Sequence, residues 1–455
     1  MVRILRWLGI ALAGLAGAAV LLLAVVWVIN LRDESLTPVA QALLRAPANP
    51  YKAEDNLYIA LAGSDAPSGR SVISAGQAKV DYYNQRLDSA LRDPSRADSN
   101  SLTLKDPQHL EFKGDCSFVQ QQDSSVWSDA PQHREEIGKL LSDNGELYQR
   151  YLALHALRGY YETARPSYLT PYFAWPTEAR KLFLADLVLR MQSTLPAGQS
   201  REALVDLESD VRMWRVVLHG EGTLLSKMRA TAYLQADYLL VADMIADPDL
   251  TMPLSDADAE ALVPAPDLKD WDIGSALAAE FRVTSSVLRQ TADPSFTNRI
   301  TGHFFQRDAT ENLLAARTAR QVGAAADPVS FYRTRNKDPD TGDLQFSYNV
   351  VGRVLASVAS GTTDNYVLRA WDGAALQRLV RLGYEIRRQH IEAVNIPAFL
   401  QQHPEMATHP ADQRPFIWDP QRAEIRVSTV AKQPPSRRFS IRIWQPALAA
   451  SGAPR

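Results

Sequence analysis

From Leu8 to Ile29 the chain runs for 22 residues without a charged or strongly polar side chain. No other feature constrains the fold as much. Wound into a helix, the run reaches about 33 Å at 1.5 Å per residue, enough for a hydrocarbon core about 30 Å thick, and a helix pairs its own backbone amides there. Arg3 and Arg6 precede the run, whereas Arg32, Asp33 and Glu34 follow it. That charge bias predicts a cytoplasmic N-terminus with the bulk of the chain on the far side. Trp7 beside Leu8 and Trp27 beside Ile29 fall where the two interfaces would lie. A cleaved signal peptide has a shorter apolar region ending in a small-x-small site. Here the small residues, Ala11 to Ala19, lie in the middle of the run, so an uncleaved signal anchor over 1–30 is the expectation. Gly9, Ala13 and Gly17 recur every four residues on one helix face, spacing that allows two helices to approach closely and offers a route to self-association, beside the plainer reading that Ala and Gly are simply common in such spans.

Beyond residue 30 the sequence reads as a globular body. Apolar residues make up 46% and charged residues 22% of the chain, which excludes a disordered chain or a polytopic membrane protein. The single cysteine, Cys116, excludes an internal disulfide framework, a four-cysteine zinc module and a lipoprotein. Residues 31–455 hold 47 Lys+Arg against 52 Asp+Glu, so nucleic acid is not an expected partner. Abundant Arg and Ala fit a bacterium with a GC-rich genome. The localisation that follows is the bacterial inner membrane, with a single pass and a periplasmic body.

Helical periodicity dominates up to about residue 400. Leu204, Leu207, Val211, Trp214 and Leu218 form one apolar stripe, with Asp206, Glu208, Asp210, Arg212 and Arg215 expected on other faces and Ser200 as the N-cap. His219–Gly220–Glu221–Gly222 breaks this pattern before a second helix from about 223 to 246, giving an antiparallel helix hairpin. Further helices are expected over 36–46, 53–62, 76–92, 133–162, 178–195, 273–291, 308–322, 347–359 and 364–392. The fold class expected is mainly α: an N-terminal transmembrane helix, an irregular multi-helix domain over 31–410, and a small β-hairpin appendage over 411–455. The hairpin strands are expected at Glu424 to Val430 and Arg437 to Trp444, where β-branched and polar residues alternate around a Lys432–Ser436 turn.

Ile396-Pro397-Ala398-Phe399-Leu400, Asp419-Pro420, Ile425-Arg426-Val427 and Phe439-Ser440-Ile441 are carried in an order that resembles the tail of a group of uncharacterised bacterial membrane-anchored helical proteins. The resemblance implies a helix, a turn and two short strands, and no activity. Type II secretion pseudopilins end in a similar way. They carry a glutamate five residues into their apolar helix, which this span lacks.

No HExxH, GxSxG, Walker A or GxGxxG motif occurs, and no cofactor is expected. His155 and His390 lie on or beside apolar stripes and read as core or flanking residues. His403, Glu405 and His409 are too few for a zinc site without a second ligand pair. Asn336, Asp338, Asp340 and Asp343 resemble a calcium loop, but the sixth and twelfth EF-hand positions hold Thr341 and Ser347, so a turn is the expectation. Cys116 would act as a nucleophile only beside a base such as His109 or His133. The candidate ligand surface is the aromatic segment with Tyr160, Tyr161, Tyr168, Tyr172, Phe173 and Trp175, where flat apolar area meets Arg158, Glu162 and Arg165. The expected function is therefore a non-enzymatic binding or scaffold protein of the cell envelope, with an envelope protein or cell wall as partner. A tethered periplasmic hydrolase and a minor secretion or pilus component are the alternatives. A deep pocket holding two carboxylates, or Cys116 beside a histidine, would favour the hydrolase.

Overall fold

The computed structural model describes the chain except residues 1, 93–101, 105, 121–124, 168, 170–175, 193–196, 248–253, 292–303, 336–347, 433–438 and 444–455. It is mainly helical, with a small three-stranded antiparallel sheet near the C-terminus. The helices used below are α1 (Val2–Ile29), α2 (Pro38–Leu44), α3 (Leu57–Ala62), α4 (Val72–Arg92), α5 (Val126–Asp129), α6 (Arg134–Asp143), α7 (Gly145–Leu154), α8 (Thr177–Met191), α9 (Ala197–His219), α10 (Leu224–Ala246), α11 (Asp256–Leu262), α12 (Gly274–Thr291), α13 (Arg307–Val322), α14 (Pro328–Thr334), α15 (Val350–Arg388) and α16 (Ile396–Gln402).

The expected membrane anchor requires correction. Among the described residues no helix is long and apolar enough to cross a membrane. α1 does form, over Val2–Ile29. The single-pass inner-membrane location, with its cytoplasmic N-terminus and periplasmic bulk, falls with the anchor. Trp7 and Trp27 are exposed, and Gly17 faces open space; the side chains of Arg3, Arg6, Leu8, Gly9 and Ala13 lie outside the described residues.

The C-terminal end of α1 is fixed to the body by polar groups. Asn30 is buried, and its side-chain oxygen accepts the Asn349 amide at 2.9 Å. Asn349 adopts a left-handed conformation (φ 51°) and accepts the Gln306 amide at 2.9 Å. Asp33 accepts the amides of Asp308 and Ala309 at 2.7 and 3.0 Å, capping α13, where a carboxylate offsets unpaired amides and the helix dipole. Below this neck, Ala40, Phe281, Leu288, Leu314, Ala315 and Ala356 form a small second core.

The main core is organised around α10, which packs most broadly on α9 and α15. Trp214, Trp271, Trp371, Tyr151, Tyr238 and Phe183 are among its largest buried side chains. The expected 223–246 helix, its hairpin with α9 and the helices over 178–195, 273–291 and 308–322 form within a few residues of their expected ends. Three details differ. The 133–162 helix is two, because Asn144 turns its amide group to the backbone of Lys113 (2.7 and 2.9 Å) between α6 and α7. The two helices over 347–392 are one, α15, 39 residues long. Ser200 lies inside α9 rather than capping it, its hydroxyl 3.5 Å from the Arg190 carbonyl.

The sheet has the order β1 (Ile417–Asp419), β2 (Glu424–Arg426), β3 (Ser440–Arg442), adding β1 to the expected hairpin. Ile425 pairs with Ile441, and both are buried. Asp372 of α15 holds the segment leading to β3: its carboxylate accepts the amides of Val430 and Ala431 (2.9 and 3.2 Å) and Nε2 of the buried His409 (3.1 Å). A three-stranded sheet this short gains its stability from such docking rather than from itself.

Candidate functional site

A cleft of about 610 Å³ opens between α4, α7, the start of α8 and the segment 103–112. One wall follows the turn from α3 into α4. Gly63 and Gly76 allow these helices to touch backbone to backbone, since a Cβ on Gly76 would lie 1.9 Å from the Ile59 carbonyl oxygen. Ser64 and Asp65 follow immediately, and Lys79 sits one turn into the buried stripe Gly76, Lys79, Val80, Tyr83, Leu87. Lys79 and Asp65 form a buried ion pair in the wall. Arg150 of α7 secures the turn from behind, donating to the carbonyls of Ser64, Ala66 and Pro67 and to Glu146 at 2.6 Å.

The opposite wall is an irregular strap. Its backbone is held at Leu110, whose amide donates to the Asp65 carbonyl at 2.8 Å, and at Lys113, paired with Asn144. Between these points Asp106 accepts the Gln108 amide at 2.9 Å and closes a local turn. His109 then lies with Nδ1 2.7 Å from the Asp106 carbonyl and Nε2 3.1 Å from Glu111. Leu104, Leu110, Phe112, Leu147, Pro176 and Ala179 supply apolar surface. Thr177, at the first position of α8, bonds the Tyr233 hydroxyl at 2.9 Å, and Glu178 pairs with Lys181 at 2.8 Å. Glu178 also stands in the first turn of α8, where the helix dipole favours a negative charge.

Each acidic side chain of the cleft has a basic partner: Asp65 with Lys79, Asp106 with Arg70 (3.1 Å), Glu111 with His109 and Glu178 with Lys181. The cleft therefore offers paired carboxylates and hydrogen-bonding groups over an apolar base, with Arg229 also in its lining.

The residues singled out in the sequence are scattered. Tyr160 is buried and donates to Glu162 at 2.7 Å, and burial raises its pKa well above the usual phenol value. Tyr161 donates to the Pro47 carbonyl at 2.7 Å. Tyr168, Tyr172, Phe173 and Trp175 lie outside the described residues, as does the Asn336–Asp343 loop. Cys116 is buried, and burial pushes its thiol up to about 12, opposite to what a nucleophile requires. His133 stacks on Phe118 and bonds Glu136. His390 is exposed just beyond α15 in a left-handed conformation (φ 52°), not on a core stripe. His403 pairs with Glu405, and His409 belongs to the buried Asp372 cluster. No group of three or more metal-binding side chains occurs among the described residues.

Periodicity did not reveal the cleft, whose walls come from four separate segments. One local signal was legible: Lys79 falls on the apolar stripe of its helix, a placement that a solvated lysine avoids. Comparison with protein-family models, curated proteins and solved structures finds no match.

Proposed function

We propose that this protein is a binding protein whose cleft between α4, α7, α8 and the 103–112 strap takes a small, neutral, hydrogen-bonding ligand. The observation that carries this reading is the pairing of every acidic group in a cleft of about 610 Å³. That volume falls in the range typical of small-molecule sites, which combine apolar walls with a few fixed polar groups. Paired charges resist displacement by an ionic ligand, because a newcomer must break an existing ion pair to form its own. They still leave carboxylate and hydroxyl oxygens able to accept hydrogen bonds from hydroxyl or amide groups. The strap is tied at Asp65 and Asn144, so the cleft is preorganised and a ligand need not order it.

The test is calorimetric titration of the full chain with a panel of neutral oligosaccharides and capped peptides. Leu104→Trp, which fills the mouth of the cleft from an exposed position, should abolish any binding found while leaving the melting temperature unchanged. Binding that survives this substitution would place the ligand elsewhere. Turnover of a panel compound that disappears in Glu178→Gln would replace the binding reading with a hydrolytic one.

A further inference from the structure

Beneath the cleft, α7 to α10 enclose a group of ionisable side chains that the binding reading does not use. Asp210 of α9 and Asp237 of α10 have no exposed surface, and Arg180 of α8 lies between them, also buried. From α7, the Tyr151 hydroxyl and, just past its end, His155 Nε2 (3.2 Å) both meet Asp210 Oδ1. From α10, the Tyr233 carbonyl accepts Arg180 Nη2 at 3.1 Å, and the Tyr233 ring lies 4.4 Å from the guanidinium. Arg180 Nη2 also donates to Asp237 Oδ1 and lies 3.3 Å from Asp210 Oδ2.

With His155 donating to Asp210 as a neutral imidazole, the charge count does not close if both acids are ionised. One arginine faces two carboxylates, and burying an uncompensated charge costs several kcal/mol. The hydrogen-bond count leaves the same gap, since Oδ2 of Asp210 and Oδ2 of Asp237 both lack a hydrogen-bond donor. One added proton closes the charge count and gives the Asp237 carboxyl a hydrogen to donate through Oδ2. We propose that Asp210 and Asp237 share a single proton carried by Asp237 through Oδ2, so that the pair and Arg180 form a neutral, proton-holding lock joining α8, α9 and α10. Tyr151 is common to this lock and to the cleft wall. The neighbours favour the same assignment. Burial and the nearby Asp210 raise the Asp237 pKa, whereas burial at Asp210 is outweighed by the Arg180 guanidinium and by the hydrogen bonds from His155 and Tyr151, which lower its value.

The lock has a defined pH signature. A folded-state pKa raised above the unfolded value means that the folded chain holds the extra proton, so stability falls as pH rises from the unfolded carboxyl range towards the raised pKa. Infrared spectra of the unmodified full chain at pH 7 should contain the carbonyl stretch of a protonated carboxyl, and Asp237→Asn should remove it. Asp237→Asn, which keeps a donor at that position, should match the wild-type melting midpoint near pH 4, lose the decline with pH, and so stand above the wild type at pH 7. Asp210→Asn, which removes the ionised partner of Arg180, should lower the midpoint. Absence of the band from the unmodified chain overturns the proposal, and so does its persistence in Asp237→Asn. A midpoint for Asp237→Asn as low as that of Asp210→Asn would overturn it as well, assigning the balancing proton to His155. Absence of the band from the unmodified chain overturns the proposal even if a variant fails to fold.

Discussion

Replacing Gly76 with alanine tests how the cleft wall is built. The added methyl would lie 1.9 Å from the Ile59 carbonyl oxygen and 3.0 Å from the Gly63 amide nitrogen. Both atoms are backbone in or next to α3, so no side-chain rotation relieves the clash. Overpacking of a filled interior costs about 1–3 kcal/mol, and a fixed backbone obstacle belongs at the upper end. Against this, alanine within a helix is favoured over glycine by about 1 kcal/mol. The net expectation is a loss of about 2 kcal/mol, a midpoint lowered by several degrees on the scale of about 2–4 °C per kcal/mol. Gly138→Ala is the control. Gly138 also lies inside a helix, α6, but a Cβ there meets nothing within 4 Å, so the same substitution should stabilise by up to about 1 kcal/mol. Thermal unfolding followed by circular dichroism reads both variants. Opposite signs are required; if both variants move the same way, helix propensity governs Gly76 and the close crossing of α3 and α4 does not.

Asp372→Ala leaves the Val430 and Ala431 amides and His409 without their acceptor, at a cost of about 3 kcal/mol, and hydrogen exchange should quicken first at Ile425 and Ile441. Burial pushes the Lys227 amine down to about 8, so the unfolded chain holds the extra proton above that value and stability should rise by about 3 kcal/mol between pH 8 and 10.5. In Lys227→Met that rise should vanish from chemical denaturation curves taken across the window. Asn30→Ala removes the acceptor of the Asn349 amide and should cost about 1–3 kcal/mol, with proteolysis at the neck accelerating before the main core opens.

The sequence showed α9, where one face is apolar and solvent takes the other, and also α10, which is apolar along most of its length because it runs through the centre of the core. It misplaced boundaries where a distant residue decides them. Nothing local to Asn144 announces that its side chain will bind Lys113 and separate α6 from α7, and the break expected between residues 359 and 364 does not occur, because α15 runs through it while carrying Gly352 and Gly373. Gly373 is there because Trp271 packs on its face, leaving a Cβ only 2.2 Å from the ring. The most consequential misreading was Asp210. Treated as a polar residue turned away from the Leu207–Val211–Trp214 stripe, it is fully buried beside that stripe, held by partners on α7 and α8. Lys79, Lys227 and Asp237 are buried ionisable residues of the same kind. Helical spacing marks such residues only as irregularities, because it records one helix at a time and their compensating charges and acceptors lie on other turns or helices. An ionisable residue interrupting an apolar stripe therefore marks a place where folding brings in a partner, and in this chain such residues line the cleft and build the lock beneath it.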